Sequence, residues 1–366
     1  MAARGNEMTR EILRSMAAAV AAQERDDREA EDRAWLRCLA LDDGSDAAVT
    51  GDPNLPPFRL RPYLSYADSL RKRGDASGGL AILERALERW PNSADVHMLV
   101  GLCHQSEHGW SRAADAFRRS LELEPQAWVC VLLAHSLGKC GRPDESEAWL
   151  RHSLVIDPDY EESHYNLGCL DERAGNVDAA IDRFRRAVEL DPDYADAHAR
   201  IGPLLMRRAL NAPRLRAADW PLAVEHLRRA TELRPDDGWS HAHLASMCDV
   251  AQQLDEAESY YRTSVRLLPD VGVLWSHLGS FLARQGADAD AEHALRHAVS
   301  LDPDDGWVRY WLGKYQYERG DDEGRTELLR AHDLGCPSAL TWLSAREREG
   351  DDDVVMALEA RRERER

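Results

Sequence analysis

EESHYNLGCLDERAGNVDAAIDRFRRAVELDPDY, residues 161–194, is the stretch whose reading decides the fold. Its first half sets His164, Leu167, Gly168 and Asp171 at three- and four-residue spacings, which keep one helical face inward. Ala174, Gly175 and Asn176 follow, where glycine permits the left-handed backbone that ends a helix. The second half carries Ala180, Phe184, Ala187 and Val188 on one side and stops at Asp191 and Pro192, since proline cannot continue a helix interior. The stretch predicts two short amphipathic helices joined by a turn. Such a pair has no core of its own and must stack on copies of itself.

The copies are present. Closing prolines fall at Pro91, Pro125, Pro158, Pro192, Pro235, Pro269, Pro303 and Pro337, at intervals of 34, 33, 34, 43, 34, 34 and 34 residues. Small residues recur at matching places, as Gly101, Ala134, Gly168, Gly202, Ala245, Gly279 and Gly313 in the first helices and Ala113, Ala180, Ala223, Ala257 and Ala291 in the second. They let neighbouring backbones approach closely. At this point the chain resembles the tetratricopeptide repeat family, whose pattern is matched by Leu167, Gly168, Ala180, Phe184, Ala187 and Pro192. The resemblance covers about three quarters of the chain and implies an all-α fold, a right-handed superhelical solenoid of about eight helix-turn-helix repeats. The expected organisation is an N-terminal helical segment and linker over 1–58, the solenoid over 59–338 with an insertion near 207–219, and capping helices over 339–366.

The N-terminal segment reads as one helix or two, with Met8, Ile12, Leu13, Met16 and Val20 spaced as an apolar stripe. The charged run 24–33, ERDDREAEDR, reads as a solvated helix surface, with a partner-binding arm as the alternative. Turn formers from Leu41 to Pro57 read as a linker. The 43-residue interval implies nine extra residues, placed at 211–219 where the helical pattern is weakest; either a ligand-touching insertion or a neutral loop extension is expected there. At the far end Trp342, Leu343, Val354, Val355 and Leu358 form one apolar face beneath a polar cap.

A net charge of −19 argues against an indiscriminate nucleic-acid or membrane-surface binder, because phosphate binding needs clustered positive potential. The seven cysteines form no C-x-x-C pair and their number is odd, which points to a reducing compartment and packed thiols. No apolar run is long enough for a membrane span, and residues 16–22 make a poor signal core, so a cytoplasmic location is expected.

No G-x-x-x-x-G-K, H-E-x-x-H or G-x-S-x-G occurs, and the Asp-Pro-Asp sets are the turns of the repeat, so no enzyme and no cofactor are expected. His97, His164, His198 and His241 recur at one repeat position. Equivalent positions in stacked helices lie about 8–10 Å apart, too far for a shared metal, whose ligands sit near about 2 Å. Their expected role is to fill a semi-polar packing position.

Helical geometry groups repeat positions 2, 5, 9, 12 and 13 of each first helix in one wedge. The family resemblance implies that this wedge lines the inside of a superhelix and contacts ligand. It holds Trp128, Trp239 and Trp307 at position 2, Tyr165 and Tyr310 at position 5, and His135 and Lys314 at position 9. Position 13 adds Lys139, Arg173, Arg207 and Arg284. These residues make up the candidate peptide-binding groove, suited to an extended protein segment with acidic and apolar side chains. The residues of a carboxylate-clamping cochaperone are missing, since Leu64, Asp68, Leu99, Trp128 and Leu132 stand in their places. The asparagine ladder of O-GlcNAc transferases is reduced to Asn166. The expected function is a non-catalytic scaffold. A regulatory or structural subunit of an enzyme or secretion complex, docking through its N-terminal helices, is the alternative.

Overall fold

The computed structural model describes residues 2–41 and 59–348, and among these there are nineteen α-helices, one short 3-10 turn and no strand. The linker expected from residue 42 to Pro57 and the apolar face at Val354, Val355 and Leu358 lie outside the described residues. Backbone packing divides the chain into two units at Leu190 and Asp191.

Unit one holds α1 (Ala2–Glu24), α2 (Arg28–Ala40), α3 (Arg61–Lys72), α4 (Ala76–Arg89), α5 (Ala94–Ser106), α6 (Trp110–Leu123), α7 (Ala127–Lys139), α8 (Pro143–Ile156), α9 (Glu161–Arg173) and α10 (Val177–Leu190). Each odd helix packs along its even successor, and the pairs stack in order. Left-handed glycines at Gly74, Gly141 and Gly175 turn the chain inside the pairs, as the sequence at Gly175 predicts. Asp75 and Ser93 cap α4 and α5 by accepting from the Gly78 and Val96 backbone N–H groups.

The small residues of the repeat are steric necessities. A Cβ on Gly168 would stand 2.8 Å from the Phe184 ring, and one on Gly101 would stand 2.5 Å from Phe117. Both phenylalanines are fully buried. Gly168→Ala is therefore expected to lower stability by about 1–3 kcal/mol through overpacking, read as a lower denaturation midpoint at unchanged slope.

Unit two holds α11 (Ala195–Asn211), α12 (Arg216–Leu233), α13 (Gly238–Val250), α14 (Leu254–Leu267), α15 (Gly272–Arg284), α16 (Asp288–Leu301), α17 (Gly306–Glu318), α18 (Glu323–Asp333) and α19 (Pro337–Arg348). The nine inserted residues do not form the extended loop that residues 211–219 suggest. They lengthen α11 and α12 to 17 and 18 residues, joined by a 3-10 turn at Pro213–Leu215. Asp219 is buried and receives Nε and Nη2 of Arg208, each at 2.7 Å. This bidentate pair holds the two helices together where the hydrophobic pattern fails.

Two expectations at the N-terminus need correction. Of the expected stripe Ile12 is buried and Met16 packs against the core, but Leu13 and Val20 are about half exposed, and Ser15, Ala19 and Ala22 complete the buried face of α1. Alanine supplies the packing face there, which a search for large apolar residues misses. The charged run is not wholly solvated either. Glu31 is buried, accepting from Trp35 Nε1 at 3.2 Å and Ser69 Oγ at 2.5 Å, with Arg73 of the first repeat 3.6 Å away. Trp35, Cys38 and Leu39 join Tyr63, Tyr66 and Leu70 in one core. The α1/α2 hairpin thus stacks on α3 as a further helix pair.

The recurring histidines have a specific task. His97, His164, His198 and His241 each donate Nε2–H to the carbonyl of the proline six residues earlier, at 2.9 to 3.1 Å. A carbonyl can only accept, so the proton sits on Nε2. Trp275 and Arg309 make the same bond with their own Nε groups, to Pro269 and Pro303. The shared requirement is a long donor that reaches back over the helix start to the turn before it.

Candidate functional site

The distribution of paired and unpaired cations separates scaffold from site. On the second helices Arg119, Arg186 and Arg229 each pair with a glutamate three residues on, and each reaches back to Asn92, Asp159 or Asp193 in the preceding turn. Those arginines belong to the stacking. Lys139 and Arg173, at the ends of α7 and α9, and Arg207, inside the last turns of α11, have no carboxylate within 4 Å among the described residues.

In unit one a cavity of about 300 Å³ opens between α7, α8 and α9. His135, Lys139, Ser146, Asn166 and Arg173 are its main polar lining residues, and Val131, Leu150 and Leu170 are among its apolar ones. Among the described residues no aspartate or glutamate lines it. Burial, then the charge of Lys139, pushes the His135 pKa down against the opposing pull of Glu162, which lies outside the lining. The ring stands edge-on to Trp110, 5.7 Å between centroids. Asn166 donates to the Glu162 carbonyl at 2.7 Å, which fixes its amide. The cavity therefore offers fixed positive charge over an apolar floor, which favours a carboxylate carried on an aliphatic stem.

Trp128 is 38% exposed near the start of α7, outside the cavity lining, and Tyr165 is half-buried against Phe184. So of the five candidate residues in unit one, His135, Lys139 and Arg173 come together in a single recess, while Trp128 and Tyr165 lie outside its lining.

Unit two is different in character. Trp239 and Trp307 are 46% and 48% exposed at the starts of α13 and α17, and Val250 is exposed at the end of α13. Trp307 meets Tyr310 edge-on at 6.2 Å, but Tyr310 is only 8% exposed and packs with Leu328, Ala331 and Cys336. Its ring is core. Arg284 is engaged with Asp249. Lys314 lies 3.9 Å from Glu318 and 5.4 Å from the Trp311 ring centre. Arg207 is exposed.

His243 and His277 were not among the sequence candidates. They occupy position 6 of α13 and α15, and burial pushes both pKa values down, that of His243 to about 4 with His277 contributing. The sequence signal was their shared repeat position, visible only after the repeats are aligned. Asn166, at the same position of α9, was visible in the same way.

These features define an all-helical repeat protein of the protein-interaction scaffold class. The chain belongs to the tetratricopeptide repeat family. Profiles described as TPR repeat or Tetratricopeptide repeat match residues 66–127, 129–160, 173–207 and 214–272. Among solved structures it is similar to the APC/C hetero-tetramer Cut9-Hcn1, with 16% identity and a TM-score of 0.53 over 82% of this chain and 55% of that one. It is also similar to pilF of Pseudomonas aeruginosa, with 20% identity and a TM-score of 0.51 over 57% of this chain and 91% of that one. At such identities the likeness is one of fold. A curated relative, the probable UDP-N-acetylglucosamine–peptide N-acetylglucosaminyltransferase SPINDLY of Arabidopsis thaliana, is 29% identical over 99 residues, which is 27% of this chain. The chain spans only 11% of that relative's length, and the transferase activity is that protein's own. Among the described residues no helix is long and apolar enough to cross a membrane.

Proposed function

We propose that this protein is a non-catalytic scaffold that captures an extended segment of a protein partner on its first-helix faces. In unit one the segment lays an acidic side chain, or its terminal carboxylate, into the cavity between α7 and α9. In unit two, taken by itself, Trp239 and Trp307 are the surface that such a segment covers. The observation that carries this reading is the carboxylate-free cavity with Lys139 and Arg173 unpaired on its lining, in a chain whose other arginines are so often committed to neighbouring acids. Two exposed tryptophans on the corresponding helix starts of unit two support it, since aromatic anchors dominate such contacts.

The test is a pull-down with the full chain followed by peptide mapping of the captured partner. Lys139→Glu with Arg173→Glu is expected to weaken capture at least about tenfold, as reversing two charges in a recess should. Neither residue holds an ion pair among the described residues, so the melting temperature should stay within about 2 °C of the parent. Trp239→Ala with Trp307→Ala should likewise weaken capture more than it lowers stability. If the tryptophan pair simply unfolds the protein, those rings are core and the reading fails; undiminished capture by both double variants also ends it.

A further inference from the structure

The α1/α2 hairpin carries a groove away from the first-helix faces. One side of the hairpin is spent on α3, through Ala19, Trp35, Cys38 and Leu39. On the rest of it a groove of about 630 Å³ runs between the two helices, with Ala30 and Ala34 among its small lining residues. Arg10 and Arg14 line it from α1, Arg33 and Arg37 from α2. Glu11, its one carboxylate, is engaged with Arg37. Arg33 reaches Glu29 only at 3.9 Å, with both side chains in solvent. Arg10 and Arg14 have no acidic partner within 4 Å among the described residues. Four arginines against one glutamate leave a local charge of +3 on a chain of net charge −19. Leu13 on α1 and Leu36 on α2 are half exposed but lie outside the lining of this groove.

We propose that this groove docks an acidic amphipathic helix of a partner protein. Arg10 and Arg14 are four residues apart, as are Arg33 and Arg37, so the members of each pair are spaced about 6 Å along their helix. Carboxylates at i and i+4 of a docked helix repeat at the same pitch. Its apolar side would meet Ala18, Ala30 and Ala34 on the groove floor. Repeat helices stack hairpin on hairpin, and α1/α2 ends the described stack of unit one, so a further helix laid there continues the packing already seen on α3. A long polyanion fits less well. Beyond the groove it would run within a Debye length, about 10 Å in ordinary buffers, of a protein carrying 66 acidic residues against 47 basic ones. A short helix confines its charge to the groove.

The experiment uses the full chain and a fluorescein-labelled eighteen-residue helix of alanine, leucine and glutamate, with glutamates at i and i+4, followed by anisotropy. A glutamine-for-glutamate copy serves as the uncharged control. The glutamate helix should bind the parent protein, the glutamine copy at least about tenfold more weakly, and Arg10→Glu with Arg14→Glu should cause a loss of similar size. Arg10→Gln with Arg14→Gln should give an intermediate loss, and circular dichroism should show every variant folded. Trp239→Ala with Trp307→Ala should bind the helix like the parent, which keeps this result separate from the fate of the first-helix reading. The proposal falls if the parent binds no glutamate helix, if the arginine variants bind it equally well, or if a DNA duplex or phosphatidylserine vesicles bind the same arginines more tightly. Loss of self-association in the arginine variants, seen by sedimentation, would assign the groove to a second copy and overturn it too.

Discussion

Replacing Asp219 by alanine is expected to cost about 3–5 kcal/mol, because it strands a charged guanidinium between two helices. The carboxylate is buried, and both of its oxygens take Arg208 donors at 2.7 Å. Removing it leaves Arg208 with its desolvation cost and without its main counterion. The pair is not thereby a large net source of stability, since bringing two ions out of water offsets most of their attraction. Arg208→Met with Asp219→Leu should therefore recover most of what Asp219→Ala loses, provided the apolar pair fills the same space. Urea unfolding of the three variants measures this directly through the midpoint at constant slope. A loss below about 1 kcal/mol for Asp219→Ala would mean that water reaches the site and that α11 and α12 are held by their apolar faces alone.

The repeat architecture was legible because the chain states it eight times through proline, glycine and alanine at fixed spacing. Gly168 against Phe184 shows why those letters are informative: a contact shorter than a methyl group allows one residue type only. The insertion was illegible for the opposite reason. Asn211, Pro213 and Asp219 read as turn chemistry, yet Asp219 is held inside a helix by an arginine eleven residues before it, a tertiary contact that local propensity cannot register. The same holds for Glu31, which looked like part of a solvated run and proves to be bound by Ser69, 38 residues away. At the candidate site, helical periodicity was enough to put Lys139 and Arg173 on one face. It could not show that α8 contributes Leu150 to close a recess beneath them, nor that Tyr310 turns into the core while Trp307 stays out. Those outcomes depend on the neighbouring helix, and no single helical wheel contains it.

Acid is expected to destabilise the protein above the range in which its carboxylates titrate, with His243 as the largest contributor. Burial and the neighbouring His277 bring its pKa to about 4, against 6.5 for a free side chain. The sign follows from proton counting. Below pH 6.5 the unfolded chain takes up the proton while the folded one still refuses it, so stability is complete above that pH and drains away as the pH falls toward 4. At pH 4.5 the loss from His243 alone is about 2–3 kcal/mol. Burial also depresses the pKa of His277, His198, His135 and His104, so all five act in the same direction. Urea midpoints between pH 7.5 and 4.5 should decline for the parent and markedly less for His243→Gln, an uncharged side chain of similar polarity. An identical decline in both would place His243 in contact with water and move the acid sensitivity elsewhere. Trp239 and His243 lie one turn apart on α13, so the same variant asks whether the tryptophan face of unit two holds its shape at acid pH. Intact partner capture at pH 5 by His243→Gln, where the parent has lost it, would tie the protonation of this helix to the binding surface itself.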